Sequence, residues 1–254
     1  MERLHRACMK SLTHAIALTF GIAGVIALPT EARAVFSQFS GTGTSAGVPV
    51  TSTASFTTTA GQVALTLQNT TVHTADAGQL LTGIRFSLSP NPITTATLTA
   101  ATAIPREIAV NGSYVDGLSQ SIWGTWESGI SAGVYQLDFN PNAEFAIVGP
   151  ADGETASSAG LYTGNGSING NPGHNPFTAK SATFTLSSPE ITAGTTITGV
   201  SFIYNTALSY VVTGTPSAPP PPPAVPEPST VGFGLAILGV CGAARRRKGN
   251  APVV

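Results

Sequence analysis

Apolar side chains recur at every second position in five separate runs: Val63, Leu65 and Leu67; Ile84, Phe86 and Leu88; Tyr135, Leu137 and Phe139; Ala182, Phe184 and Leu186; Val200, Phe202 and Tyr204. The residues between them are mostly polar. A period of two with one apolar face is the pattern of a half-buried β-strand. Turn-forming clusters separate the runs: Ser89–Pro92, Asn111-Gly112, Asn140–Asn142, Ser187–Glu190 and Thr192–Gly194. Thr, Ser, Gly and Val dominate here, Lys, Glu and Met are scarce, and no convincing helical period precedes Pro216. The expected fold is all-β: an antiparallel β-sandwich or jelly-roll-like domain over residues 35–215. The Gly/Asn/Pro-rich segment Gly164–Pro176 is expected to be a long surface loop.

The two ends of the chain differ from this body. Arg3, Arg6 and Lys10 precede an apolar stretch, Ala15–Leu28, which Pro29 breaks. Ala32 and Ala34 then stand in the small-residue pattern that signal peptidase cleaves, so residues 1–34 read as a secretory signal helix and the mature chain is expected to begin at Val35. Between Val35 and Val225 three bases (Arg85, Arg106, Lys180) face nine acids, a net −6. Such a surface repels phosphate backbones and argues against nucleic-acid binding. Both cysteines, Cys8 and Cys241, fall in the terminal segments. The exported body therefore has no disulfide, thiolate nucleophile or Cys-ligated zinc, and at about 190 residues it is large enough to bury a core without them.

From Pro216 the composition becomes proline-rich, and residues 216–225 read as a semi-rigid linker. The thirteen residues of "PSAPPPPPAVPEP" extend to about 40 Å at roughly 3.1 Å each. Then come Val225-Pro226-Glu227-Pro228, an apolar run over residues 231–244 and the basic block Arg245, Arg246, Arg247 and Lys248. As a helix, about 14 residues span roughly 21 Å, short of the ~30 Å bilayer core. Four glycines weaken that helix further. The basic block holds the tail on the cytoplasmic side, which leaves the Pro-Glu-Pro box at the outer boundary.

The Pro-Glu-Pro box, the short Gly-rich hydrophobic helix and the arginine cluster, in that order over residues 226–250, resemble the PEP-CTERM sorting signal. The resemblance implies export across the inner membrane of a Gram-negative bacterium that makes extracellular polysaccharide. It implies transient membrane anchoring, then release to the cell surface or the medium. It also implies processing by an exosortase, a membrane-embedded, cysteine-dependent transpeptidase-like enzyme. In that setting Val225, Pro226, Glu227, Pro228 and the basic block are recognition residues of a substrate. The stretches "FSGTGTSAGVPVTSTASF", "VALTLQNT" and "TITGVSFIYNT" are also similar to Thr-rich β domains found in this family, a likeness that implies no activity.

Candidate chemistry within the body is sparse, and no cofactor or metal is expected. Gly43-Thr44-Ser45-Ala46-Gly47 fits G-x-S-x-G, but a nucleophile elbow needs a helix after it and a strand-like stretch follows. His73, Asp76 and His174 are the materials for a triad or a metal site, expected instead to be solvated loop residues. Glu127, Asp138 and Glu144 raise glycoside hydrolysis, which uses two carboxylates, and Asp152 and Glu154 raise calcium. None carries a recognisable pattern. Asn69, Asn111 and Asn165 match the N-glycosylation acceptor by chance. Trp123 and Trp126 are the strongest pair: exposed indoles make platforms for sugars, and burial of at least one is expected. The leading expectation is a non-enzymatic exported surface or matrix protein, structural or adhesive in an exopolysaccharide layer. The alternatives are a carbohydrate-binding module using Trp123 and Trp126 and, behind it, a secreted hydrolase.

Overall fold

The computed structural model describes residues 34–90, 93–139 and 144–217. The expected signal helix with Ala32, the tail with its sorting residues and the expected linker 216–225, apart from Pro216 and Ser217 which end β13, lie outside the described residues. Thirteen strands make up the body: β1 (Val35–Ser45), β2 (Val48–Thr59), β3 (Gln62–Asn69), β4 (Leu81–Ser89), β5 (Thr97–Ile108), β6 (Tyr114–Asp116), β7 (Gln120–Ser121), β8 (Trp126–Ser131), β9 (Val134–Phe139), β10 (Ile147–Val148), β11 (Phe177–Ser187), β12 (Thr196–Tyr204) and β13 (Tyr210–Ser217). The described helical content is one 3-10 turn, Ala77–Gln79, capped by Asp76. No helix among the described residues is long and apolar enough to cross a membrane.

The all-β expectation matches the structure, but the β-sandwich or jelly-roll-like arrangement does not. All thirteen strands belong to one sheet, and eight of them close on themselves in the order β11–β3–β2–β1–β13–β12–β4–β10. The closing piece is β10. Its Ile147 and Val148 pair in parallel with Thr178 and Ala179 of β11, and Ile147 pairs antiparallel with Leu81 of β4. The result is a closed barrel with two wings, β5–β6–β7 attached to β11 and β9–β8 attached to β4. Alternation in a sequence reports which face of a strand is buried and carries no information about closure. A two-residue strand buried on both sides has no period to read.

All five alternating runs bury the expected face, with exposures of 7% or less. Along the interior, Phe39, Phe56, Phe86 and Tyr135 pack in succession at centroid separations of 6.0, 5.0 and 5.1 Å, the first two contacts edge-to-face and the third tilted. β1 and β13 make room for this core with glycine. Gly41 and Gly214 stand opposite each other, and a Cβ at Gly41 would lie 2.5 Å from Cδ2 of Phe202. Asn69 secures the closure: its fully buried amide donates to the carbonyls of Gln79 (2.8 Å) and Ile147 (2.9 Å) and accepts from the Thr71 N–H at 3.0 Å.

The register also fixes where the body begins and ends. β1 enters beside the end of β2, with Val35 opposite Thr58, and β13 leaves beside β1, with Ser217 opposite Gln38. Both ends of the body therefore sit at one pole of the barrel, here called basal. The Ala46-Gly47 turn and the loops after Asn69 and Tyr204 lie at the other, apical pole.

Candidate functional site

A groove of about 570 Å3 lies on the outer face of β4, β9 and β8. Register sets its rows: Gly83, Asp138 and Glu127 in one; Arg85, Gln136 and Gly129 in the next; Ser87, Val134 and Ser131 in the third. Nε of the half-buried Arg85 donates to Oε1 of Gln136 at 2.6 Å. The Gln136 amide nitrogen in turn donates to a carboxylate oxygen of Asp138. The alternating strand β9 puts Tyr135, Leu137 and Phe139 inward, so these three polar groups face outward together. The arrangement offers donors from a guanidinium and acceptors from two carboxylates on one open surface.

A second polar cluster lies on the apical side of the β5 wing. Arg106 occupies an inward position, and its side chain is 0% exposed. Nε and Nη2 donate to the two oxygens of Asp116 at 2.7 and 2.8 Å. Nη1 and Nη2 donate to Glu154 at 2.8 and 3.1 Å, and Nη1 also reaches the Tyr162 hydroxyl at 2.8 Å. All five N–H donors are thus used. The guanidinium lies over the Tyr114 ring, 3.8 Å from its centroid. Lys180 Nζ adds a contact to Glu154 at 2.7 Å, and the Ala151 N–H another at 2.9 Å. Burial alone would raise the Glu154 pKa, but the hydrogen bonds from Arg106 and Lys180 outweigh it and hold the carboxyl at about 2. For Arg106, burial opposes the charge, and the hydrogen bonds it donates to Asp116 and Glu154 overcome it and raise its pKa. A saturated cluster has nothing left to offer a ligand. It pins the loop from Gly149 to Tyr162 against the β5 wing.

The sequence candidates divide as follows. Trp126 is buried at 2%, its ring 4.8 Å from that of Phe184 and its indole N–H on the Phe145 carbonyl at 3.3 Å. Trp123 is 63% exposed. The two indoles therefore do not form one platform. Gly43–Gly47 is the β1–β2 hairpin. Ala46 and Gly47 both have positive φ (51° and 82°), as a tight two-residue turn requires, and Ser45 is fully buried. His73 stands 3.0 Å from the Thr163 hydroxyl and 4.0 Å from Asp152. Asp76 bonds Gly78 and Asn165, and His174 packs by Phe139 at 6.4 Å. These groups do not converge on Ser45 or on one another. Glu127 and Asp138 are cross-strand partners, while Glu144 is exposed elsewhere. Asp152 lies in a turn, and Glu154 is the Arg106 partner. No group of three metal-binding side chains occurs among the described residues. Asn69 is sealed in the core and unavailable to a glycosyltransferase. The loop Gly164–Pro176 lacks strands, as expected, but is tied down: Ile168 is fully buried, and Asn175 bonds both polar backbone groups of Ile108.

Sequence reasoning missed Arg85, Gln136 and Arg106. A signal existed for Arg106: it occupies an inward position beside Ile108 in "AIPREIAV", where a lone cation demands buried acids.

No family model matches the chain, and no curated protein matches it. Among solved structures, the NetB toxin of Clostridium perfringens in its membrane-inserted form aligns over 73% of this chain and 91% of its own. The identity is 12% and the TM-score 0.16, a level of superposition that reflects no common fold.

Proposed function

We propose that the chain is an exported, non-enzymatic surface or matrix protein, delivered by an exosortase-type sorting system to a structural or adhesive role in an extracellular polysaccharide layer. Both ends of the barrel lie at one pole, with Ser217 beside Gln38, a placement compatible with this reading. A precursor held by a signal peptide before Val35 and a hydrophobic tail beyond the linker is accommodated by that geometry. The observation that carries this reading is the order of Pro226-Glu227-Pro228, apolar run and Arg245–Lys248, which supplies the address. Expression with and without an exosortase tests the reading. Loss of the tail only with the enzyme present, abolished when Pro226, Glu227 and Pro228 become alanine, supports it; surface display unaffected by those alanines refutes it.

A second reading, carbohydrate binding, is favoured by the exposure of Trp123, a large aromatic left in solvent. Trp126 has no part in it. Glycan binding lost on Trp123→Ala is its test.

A further inference from the structure

We infer that the groove on β4, β9 and β8 binds a neutral pyranose chain, an inference that rests on the proposed role in a polysaccharide layer and gives that role a contact surface. Glu127 and Asp138 face each other directly across adjacent strands. Like charges in that position destabilise a sheet. Among the described residues no cation forms an ion pair with either. Arg85 is held one row away by Gln136, and its two Nη groups, with four N–H donors, have no protein partner among the described residues.

The trough between these groups is open. A Cβ at Gly129 would meet nothing within 4 Å, so the space between Glu127 and Ser131 is unfilled. Its volume of about 570 Å3 is that of a small-ligand site. The occupant must donate to two carboxylates in one row and accept from a guanidinium in the next, a diagonal separation of about 7–8 Å between backbone positions on neighbouring strands. A polyol does both with neighbouring hydroxyls. A divalent cation lacks a third protein ligand here. A polyuronate or polyphosphate meets two carboxylates for one guanidinium on a body of net charge −6.

The test is titration calorimetry of the mature protein with cellohexaose, xylohexaose and mannohexaose, with hexagalacturonate as the acidic comparator. Binding of at least one neutral hexamer is expected. Arg85→Met and Asp138→Asn should each weaken it about tenfold or more, the loss of a charge-assisted hydrogen-bonded contact. Gly129→Val, which adds a side chain only to open space, should block it with the fold intact, and Trp123→Ala should leave it unchanged. Four results overturn the inference: no neutral hexamer binds, hexagalacturonate alone binds, Gly129→Val binds as the parent does, or Trp123→Ala abolishes binding. None of these touches the sorting reading, which is decided by the tail of the exported protein.

Discussion

Replacing Arg106 with methionine is the sharpest perturbation the structure offers. The guanidinium has no exposed surface and makes five hydrogen bonds to three partners. Methionine fills much of the volume and removes every donor. Glu154, with 7% of its side chain exposed, keeps Lys180 and the Ala151 N–H. Asp116 is 38% exposed, so solvent screens its contribution. Removing one partner of a buried ion pair costs about 3–5 kcal/mol. For a body of this size that lowers the Tm by roughly 6–20 °C. Urea unfolding followed by tryptophan fluorescence reads the loss, with an unchanged m-value. Arg106→Lys keeps the charge without the fork and should lose about half as much. Adding Glu154→Gln to Arg106→Met removes the stranded carboxylate and should recover about 1 kcal/mol or more. Acid sensitivity follows from the same pair. The Glu154 pKa is lowered from 4.5 to about 2, so its pairing stabilises fully above about pH 4.5 and is lost as pH falls toward 2. The Arg106→Met protein should lose less stability over that window than the parent. A cost under about 1 kcal/mol, or a double variant less stable than Arg106→Met, would refute the view of the cluster as the lock on the apical loop.

Trp126→Ala should cost about 3–5 kcal/mol and Trp123→Ala less than about 0.5 kcal/mol, measured side by side by urea unfolding. Gly41→Val drives a side chain into the Phe202 ring and should cost about 1–3 kcal/mol through overpacking. Phe202→Leu in the same chain should recover part of the loss in a thermal melt. Asn69→Ala leaves the Gln79 and Ile147 carbonyls and the Thr71 N–H without their partner and should cost about 1–3 kcal/mol. Hydrogen exchange should then quicken first at Ile147 and Val148, where the barrel closes.

The strands with large apolar faces were legible because Val63, Leu65 and Leu67, or Ile84, Phe86 and Leu88, show their buried side as a pattern. Closure was not, since it depends on which edges meet. The edge that matters is Ile147–Val148, two buried residues between Phe145 and Pro150. β1 was visible only as composition: its inner face includes Gly41, Gly43 and Ser45, small residues that let Phe202 and Val212 approach. The Trp pair misled for a related reason. Only Gly124 and Thr125 separate Trp123 from Trp126, and the turn between them, with Gly124 at positive φ, points the two indoles to different environments. In the groove, Glu127 and Asp138 were noticed as acids, but their pairing across β8 and β9 and the neighbouring Arg85 follow from strand register, which no single stretch encodes.

Intact-mass and terminal-peptide spectrometry of the protein recovered from the medium or cell surface of an exosortase-bearing host reads both ends at once. A chain beginning at Val35 and lacking Arg245–Lys248 is the predicted product. A chain still carrying Arg247 and partitioning stably with lipid contradicts the account.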